Sequence, residues 1–413
     1  MKRVVDAVSP PRLGSSFRWL LASSWLSNVG DGLALAAGPL LVASQTGDPL
    51  LVAAAAFLQR LPWLLFGLHA GLVADRLDRR RIVMVVDLLR AAVLGVLALT
   101  IVTGAVNVGV VLAAMFVLGT AETFADVTTN TLLPMLVDKQ DLGIGNGRLM
   151  IGMITGNQLA GPPIGAALFA VGRAWPFAAQ GVLVGLGAVL VGRITIAHQA
   201  QARPDEPPRR QIVEGLRWLW HHAAMRTLTI TIVAFNVTFG AAWSVLVLYA
   251  KERLDLGDIG FGLVTTVGAV GGVLGSWGYG WIERRISLAD IMRIGLIIET
   301  LTHLVLAWTT VPAIALVTFF VFGGHAAIWG TTASSIRQRA VPTEFQGRVG
   351  SVYMMGVQGG LVAGSAVGGV LGRAWGVTAP FWFAFAGSGL ILLLIWRELA
   401  HIAHADQAEP VAV

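Results

Sequence analysis

Apolar residues run through this chain in long blocks separated by short knots of charge. The blocks are Phe17 to Ser44, Leu50 to Ala74, Ile82 to Thr103, Val106 to Leu136, Gly143 to Gly172 and Ala174 to Ile196. After a break they resume at Arg226 to Ala250, Ile259 to Ile282, Ala289 to Thr309, Pro312 to Arg337, Arg348 to Gly372 and Thr378 to Arg397. Each can cross a bilayer, because about 20 residues at about 1.5 Å rise span about 30 Å of hydrocarbon. Backbone groups in lipid need partners inside the segment, and no ten-residue alternation of a barrel strand is visible, so the blocks predict helices. The predicted fold class is an all-α integral membrane protein with about twelve transmembrane helices.

An internal repeat gives the same architecture without using hydropathy. An offset of 208 takes Asn28-Val29 to Asn236-Val237, Gly32 to Gly240, Gly67 to Gly275, Asp75 to Glu283 and Arg76 to Arg284. Shorter offsets of 200 and 203 take Gly147-Arg148 to Gly347-Arg348 and Gly161-x-x-x-Gly165 to Gly364-x-x-x-Gly368. Two pseudo-symmetric six-helix bundles follow, at 17–197 and 226–397, with tails at 1–16 and 398–413 and a linker at 198–225. The linker opens with Pro204, Pro207 and Pro208 among charges. It continues from Gln211 to His222, where Ile212, Val213, Leu216, Leu219 and Trp220 fall near one face, as in a tether helix lying in the membrane interface.

Composition sharpens this reading. Charged residues make up 13% of the 413, against about 25% in soluble domains. Mean hydropathy is +0.73, so the chief solvent is lipid. A formal charge of +6 could suggest nucleic acid, but the arginines gather in alternate loops: Arg76 to Arg81, Arg203 to Arg217, Arg284-Arg285 and Arg337 to Arg348. That is the positive-inside pattern, which places both termini in the cytoplasm and makes nucleic acid an unneeded partner. The block at Phe17 to Ser44 is too long for a signal-peptide core and is kept as the first span. Absence of cysteine removes disulfides, thiol catalysis and cysteine metal sites. The scarcity of lysine beside abundant arginine fits a GC-rich bacterial genome, hence the bacterial inner membrane.

Ionisable groups in mid-span are expensive, and each needs a reason. They are Asp31, Arg60, Glu122, Asp126, Glu299, His303 and His325. Glu122 and Asp126, four apart, share a helix face and repel, as suits a group that must load and release a proton. The bland alternative pairs them with Arg60 or Arg148 to lock helices together. Asp31 sits in the small-residue stretch Asn28 to Gly32, with Arg60 as counter-ion or anion site; its repeat counterpart is Phe239. Asn28, Asn157, Gln158, Asn236 and Gln358 supply further polar cavity positions, and His325 lies one turn from Trp329. Glu299 and His303 read as a mutual structural hydrogen bond.

Two stretches carry a family resemblance. Gly71-Leu72-Val73-Ala74-Asp75-Arg76-Leu77-Asp78-Arg79-Arg80-Arg81 resembles motif A of the major facilitator superfamily, usually Gly-x-x-x-Asp-Arg-x-Gly-Arg-Arg, with Asp78 where glycine is usual. Gly67 and Gly71 would let a neighbouring helix approach closely. Asn157-Gln158-Leu159-Ala160-Gly161-Pro162-Pro163-Ile164-Gly165 resembles motif C, the antiporter motif, with prolines to bend the helix and glycines to pack it. Asp78 in motif A, with Ala121-Glu122-x-x-x-Asp126, Leu133-Pro134 and Asn146-Gly147-Arg148-Leu149, resembles the drug- and siderophore-exporter, enterobactin exporter-like branch. The resemblance implies that Gly71, Asp75, Arg76, Arg79 and Arg80 form a cytoplasmic gate, with Asp75 acting on the helix that Arg348 begins. It implies that Gly161, Pro162, Pro163 and Gly165 seal the halves, that the third helix of each three-helix unit is peripheral, and that His325 lines a cavity between the repeats. The arginine of the superfamily's motif B is missing from the fourth helix, where acids stand instead.

The function expected is proton-coupled efflux of amphipathic, drug-like small molecules by alternating access. A dedicated siderophore or metabolite exporter, or an importer of the same fold, remains the alternative. An enzyme is not expected: no metal-ligand spacing, nucleotide loop or nucleophile elbow occurs, and no cofactor is implied. The partners expected are a small-molecule substrate, protons and the lipid bilayer, with the protein a monomer.

Overall fold

The structure, a computed structural model, describes residues 11–195, 208–342 and 345–403, and among them there is no strand. The long helices are α1 (Gly14–Gln45), α2 (Pro49–Arg76), α3 (Arg79–Val102), α4 (Val108–Asn130), α5 (142–171) and α6 (Trp175–Val191). The amphipathic α7 (Pro208–His221) precedes α8 (Ala223–Ser244), α9 (Asp258–Glu283), α10 (Leu288–Trp308), α11 (Pro312–Ala340), α12 (Gln346–Trp375) and α13 (Ala379–Ile395), and a short α14 (Glu398–Ala403) follows. Nine helices among the described residues are long and apolar enough to cross a membrane, and α6 and α13 are shorter apolar helices of 17 residues. The remaining span, α5, reaches its length by joining three helical pieces. Leu99, Val102, Val182, Leu393 and Leu394 are all more than half exposed. An apolar surface of this kind is stable only against lipid.

Helix starts follow local chemistry. Asp78, which replaces the motif glycine, caps α3 by accepting from the Arg80 and Arg81 N–H groups at 3.0 and 3.3 Å. Asn107 and Ser287 cap α4 and α10 in the same way. In α5 the prolines produce more than a bend. Pro162 and Pro163 have no N–H to give the carbonyls one turn back. The segment Met153–Ala160 before them widens into a π-helix, and the Gly161 N–H bonds to the Gly156 carbonyl five residues back.

The chain forms two compact units, one of Met1–Thr46, Leu58–Pro204 and Asp258–Thr266, the other of Gly47–Phe57, Asp205–Gly257 and Val267–Val413. They differ from bundles cut at 17–197 and 226–397 by two short segments, each grouped with the unit it packs against. In unit 1, Gly262 lies against Pro162 and Ala166; in unit 2, Leu50 and Ala53 lie against Gly369. These contacts are repeat counterparts, since the offset of 208 takes Ala53 to the neighbour of Gly262 and that of 203 takes Ala166 to Gly369.

Among the described residues the expected close approach at Gly67 and Gly71 is not found. A Cβ at Gly71 would meet nothing within 4 Å, and at Gly67 only Trp63 of the same helix, 3.9 Å away. Those faces have room for a side chain. Tight approach falls at Gly165, against the Leu33 backbone, and at Gly323, against Gly268.

Candidate functional site

In unit 1 the polar positions converge on one cavity of about 410 Å³. It is lined by Asp31 and Asn28 from α1, Asp87 and Arg90 from α3, Glu122 and Asp126 from α4, and Asn157 from the π segment of α5. The buried residues of α3, Ile82, Val83, Asp87, Arg90, Leu94 and Leu97, recur at helical spacing, and the helix packs against α6 and α4. Arg90 therefore lies near mid-helix with its side chain 5% exposed, one guanidinium nitrogen on Asp31 and another 3.1 Å from Asp87. Gln180 of α6 donates a further hydrogen bond to Asp31 at 3.2 Å. One fixed cation thus holds two carboxylates and ties α1 to α3.

This corrects the pairing expected from sequence. Arg90, not Arg60, is the counter-ion of Asp31. Arg60 is exposed and does not line the cavity. Neither Arg60 nor Arg148 comes within the 4.0 Å ion-pair distance of Glu122 or Asp126, and neither acid has a hydrogen-bond partner among the described residues. Gln158, next to Asn157, is exposed and lines neither polar cavity.

Unit 2 has its own cavity, of about 270 Å³. Asn236, His325 and Trp329, expected as cavity residues, line it together with Phe235, Phe239, Phe322 and Glu299. The Glu299–His303 contact extends to a third group. The Glu299 Oε1 lies 3.4 Å from His303 Nε2, while its Oε2 reaches across to His325 Nε2 at 3.1 Å. Although α10 is the third helix of its half, it presents this acid inward.

Around motif A, Arg79 donates to the Ala74 carbonyl at 3.0 Å, closing the end of α2, and Arg80 donates to the Ile194 carbonyl at 2.9 Å beyond α6. Arg76 is exposed, and the side chain of Asp75 lies outside the described residues. In motif C, Gly161 meets Gly32 and Gly165 meets Leu33, so this face of α5 packs on α1 within unit 1. The linker helix α7 docks on the start of α12: Gly215 abuts the Arg348 backbone, Glu214 binds Arg348 at 2.6 Å, and Trp218 and Leu219 are buried. Val213, Leu216 and Trp220 of the expected face stay exposed.

Asp87 and Arg90 are the ionisable cavity residues that the sequence reading passed over. The signal was present, since both are charges inside an apolar run.

A helix-only architecture with a doubled set of apolar spans and polar cavities inside each unit defines a multi-pass membrane transporter of the major facilitator type. The chain belongs to the MFS_3 family, described as transmembrane secretion effector, whose family model matches residues 7–411. It is 28% identical over 386 residues to the multidrug efflux pump Tap of Mycolicibacterium fortuitum, covering 88% of this chain and 90% of that one. It is 28% identical over 153 residues to macrolide efflux protein A of Streptococcus pyogenes, covering 37% of this chain and 36% of that one. Among solved structures, a peptide transporter, POT, in complex with alafosfalin superposes with a TM-score of 0.77 at 15% identity, over 99% of this chain and 100% of that one. The family and these relatives are transporters and not enzymes.

Proposed function

We propose that this protein is a proton-coupled exporter of amphipathic, drug-like small molecules, working by alternating access in the bacterial inner membrane with both termini cytoplasmic. The observation that carries the proposal is the unit 1 cavity. Glu122 and Asp126 share its wall with Asp31 and Asp87, yet Arg90 is engaged with the latter two. Two acids inside a membrane span that feel Arg90 only at a distance, with neither a hydrogen bond nor an ion-pair contact of their own, are suited to carry protons, since pairing for structure alone would have placed a cation against them. The names of the relatives, multidrug efflux pump and macrolide efflux protein, support export of drug-like molecules, and the arginine-rich alternate loops support the orientation.

The energetics suffice. Expelling a neutral solute against a hundredfold gradient takes about 2.7 kcal/mol, and a proton crossing 100 mV supplies about 2.3. One proton with a modest pH gradient covers the difference. For a monovalent cation exchanged one for one the electrical terms cancel, so two protons, one on each acid, would restore the drive.

The test is dye or drug accumulation in a susceptible host, with and without an uncoupler. Wild-type protein should lower accumulation until the uncoupler is added. The Glu122→Gln, Asp126→Asn double variant, matched for membrane expression, should not lower it. Normal efflux from that variant would sink the assignment of these acids, and efflux insensitive to the uncoupler would sink proton coupling itself.

A further inference from the structure

Unit 1 holds a second cavity, an apolar groove of about 840 Å³ between α3 and α6 that shares no lining residue with the polar one. It follows α3 from Ala91 through Gly95 and Ala98 to Val102, and α6 from Val182 back to Trp175. The two helices touch at its inner end, where a Cβ on Gly181 would fall 3.4 Å from the Ala91 carbonyl. Beyond that contact the small side chains leave the space between the helices open. A Cβ on Gly95 would meet nothing within 4 Å. Val102 and Val182, at the two ends of the wall, are more than half exposed.

Ala91 stands near the middle of α3 and Val102 is its last residue, so the groove is about 16 Å long at about 1.5 Å per residue. That is one leaflet of a hydrocarbon core about 30 Å thick. Arg173 and Trp175 stand at its outer end, and both are exposed. Arg253 and Arg373, which like Arg173 lie away from the arginine-rich loops, are met within the protein: Arg253 donates to the Thr309 and Trp308 carbonyls, and Arg373 lies 3.6 Å from Asp48. Among the described residues Arg173 makes no hydrogen bond, ion pair or ring contact. It also stands just before α6, at a helix end that is itself positive, and the first turn of that helix holds no acid. No Asp or Glu occurs from Ala91 to Ala121 or from Leu149 to Ile196, so the segments that build the groove supply no counter-charge to its mouth.

We propose that this groove binds one anionic phospholipid, with the headgroup phosphate on Arg173 and the start of α6 and one acyl chain laid along α3 from Val102 to Ala91. The volume falls within the range of about 300–1,000 Å³ that buries most of a small ligand, and the length fits a chain that reaches the middle of the bilayer. Every membrane lipid has a chain to fill the groove, and the charge at the mouth chooses among headgroups. An anionic headgroup meets the uncompensated arginine and the helix end together. A zwitterionic one brings its own cation to the same place and gains less. Trp175 suits the headgroup level, since its ring is apolar and its N–H seeks a polar partner. The indole lies against Gly172, where a Cβ would fall 2.8 Å from Cδ1 and 3.1 Å from Nε1, so the absence of a side chain there leaves the ring its place at the mouth. The inference is independent of the exporter reading, and its test measures lipid binding alone.

The experiment is native mass spectrometry of the purified full chain in detergent, with equal amounts of phosphatidylglycerol and phosphatidylcholine carrying the same acyl chains. The wild type should retain its first phosphatidylglycerol about fivefold more than its first phosphatidylcholine, the order expected for one basic side chain acting on an anionic lipid. Arg173→Gln should bring the two lipids to equal retention. Arg373→Gln, at an arginine that already faces Asp48, should leave the preference as it is. Gly95→Phe places a ring in the groove and should lower retention of both lipids about tenfold, the loss of burial of roughly two methylene groups. Arg173 and Gly95 are both exposed and a Cβ at Gly95 has open space, so both variants should melt as the wild type does. Equal retention of the two lipids by the wild type, or a preference that survives Arg173→Gln, would overturn the headgroup site. Unchanged retention in Gly95→Phe would overturn the groove as the seat of the chain.

Discussion

The Arg90 node allows a sharp test, because its two carboxylates sit within one buried face. Replacing Arg90 with methionine keeps the volume and removes the charge, leaving Asp31 and Asp87 with only the Gln180 hydrogen bond on Asp31. Breaking a buried ion pair by removing one partner costs about 3–5 kcal/mol. Unit 1 has the size of a domain in which 1 kcal/mol moves the melting temperature by about 2–4 °C, so Arg90→Met should melt about 6–20 °C lower. The assay is intrinsic fluorescence of the 14 tryptophans in detergent, since the absence of cysteine rules out thiol dyes. Two comparisons isolate the cause. Arg60→Met, which removes an arginine that makes no ion-pair contact within 4.0 Å, should shift melting by clearly less than Arg90→Met does. Adding Asp31→Asn and Asp87→Asn to Arg90→Met should recover most of the loss, because the penalty lies in uncompensated charge and not in lost packing. Equal shifts for Arg90→Met and Arg60→Met, or no recovery in the triple variant, would refute the assignment of Arg90 as the charge that holds α1 to α3.

Two further outcomes follow from the end of unit 2 where the linker helix docks. His222 caps α8 by accepting the Met225 N–H on Nδ1 at 3.3 Å, which requires an unprotonated nitrogen, and burial lowers its pKa from the ordinary value. A folded-state pKa below the unfolded one means that stability is full above about pH 6.5 and declines as pH falls below it. His222→Asn, which caps without titrating, should flatten the drop in melting temperature between pH 7.5 and 5.5; an unchanged slope counts against the cap. For the docking of α7, a double-mutant cycle on Glu214→Gln and Arg348→Gln should give a coupling of about 0.5–1 kcal/mol that shrinks in high salt, and zero coupling at low salt would leave the docking to Trp218 and Leu219.

The spans and their number were legible in the sequence because lipid imposes one rule on every residue of a segment, so a run such as Ile82 to Thr103 cannot be mistaken for a strand. The cavity residues were only partly legible. Asp31, Glu122, Asp126 and Asn157 stood out as polar positions in apolar runs and meet in one cavity. The partner of Asp31 did not, because pairing depends on which faces of two helices meet. Arg60 and Arg90 are equivalent by hydropathy and opposite in burial. Treating third helices as peripheral hid Asp87 and Arg90 and understated Glu299, although a peripheral helix still has an inner face. In α7 the spacing Gly215, Trp218, Leu219, continued by His222 just beyond it, marks the docked stripe in hindsight. It competed with the more hydrophobic set Val213, Leu216 and Trp220, which stays exposed. Hydropathy alone cannot tell a stripe that seeks protein from one that seeks lipid.

The two halves solve one electrostatic problem with different side chains, and the difference has consequences for what each can do. A charge at mid-depth in the third helix must be met by an opposite one, and in unit 1 the central group is an arginine, in unit 2 a glutamate. Arginine stays protonated under all physiological conditions, so Arg90 with Asp31 and Asp87 is a permanent clamp, and Glu122 and Asp126 stand outside it on the same cavity wall. Glu299 is met instead by two imidazoles, its carboxylate lying 3.4 Å from His303 and 3.1 Å from His325, so the second cavity keeps a carboxylate among aromatic walls where the first keeps a guanidinium among acids. The exchange falls one residue out of repeat register, since the offset of 208 takes Arg90 to the neighbour of Glu299.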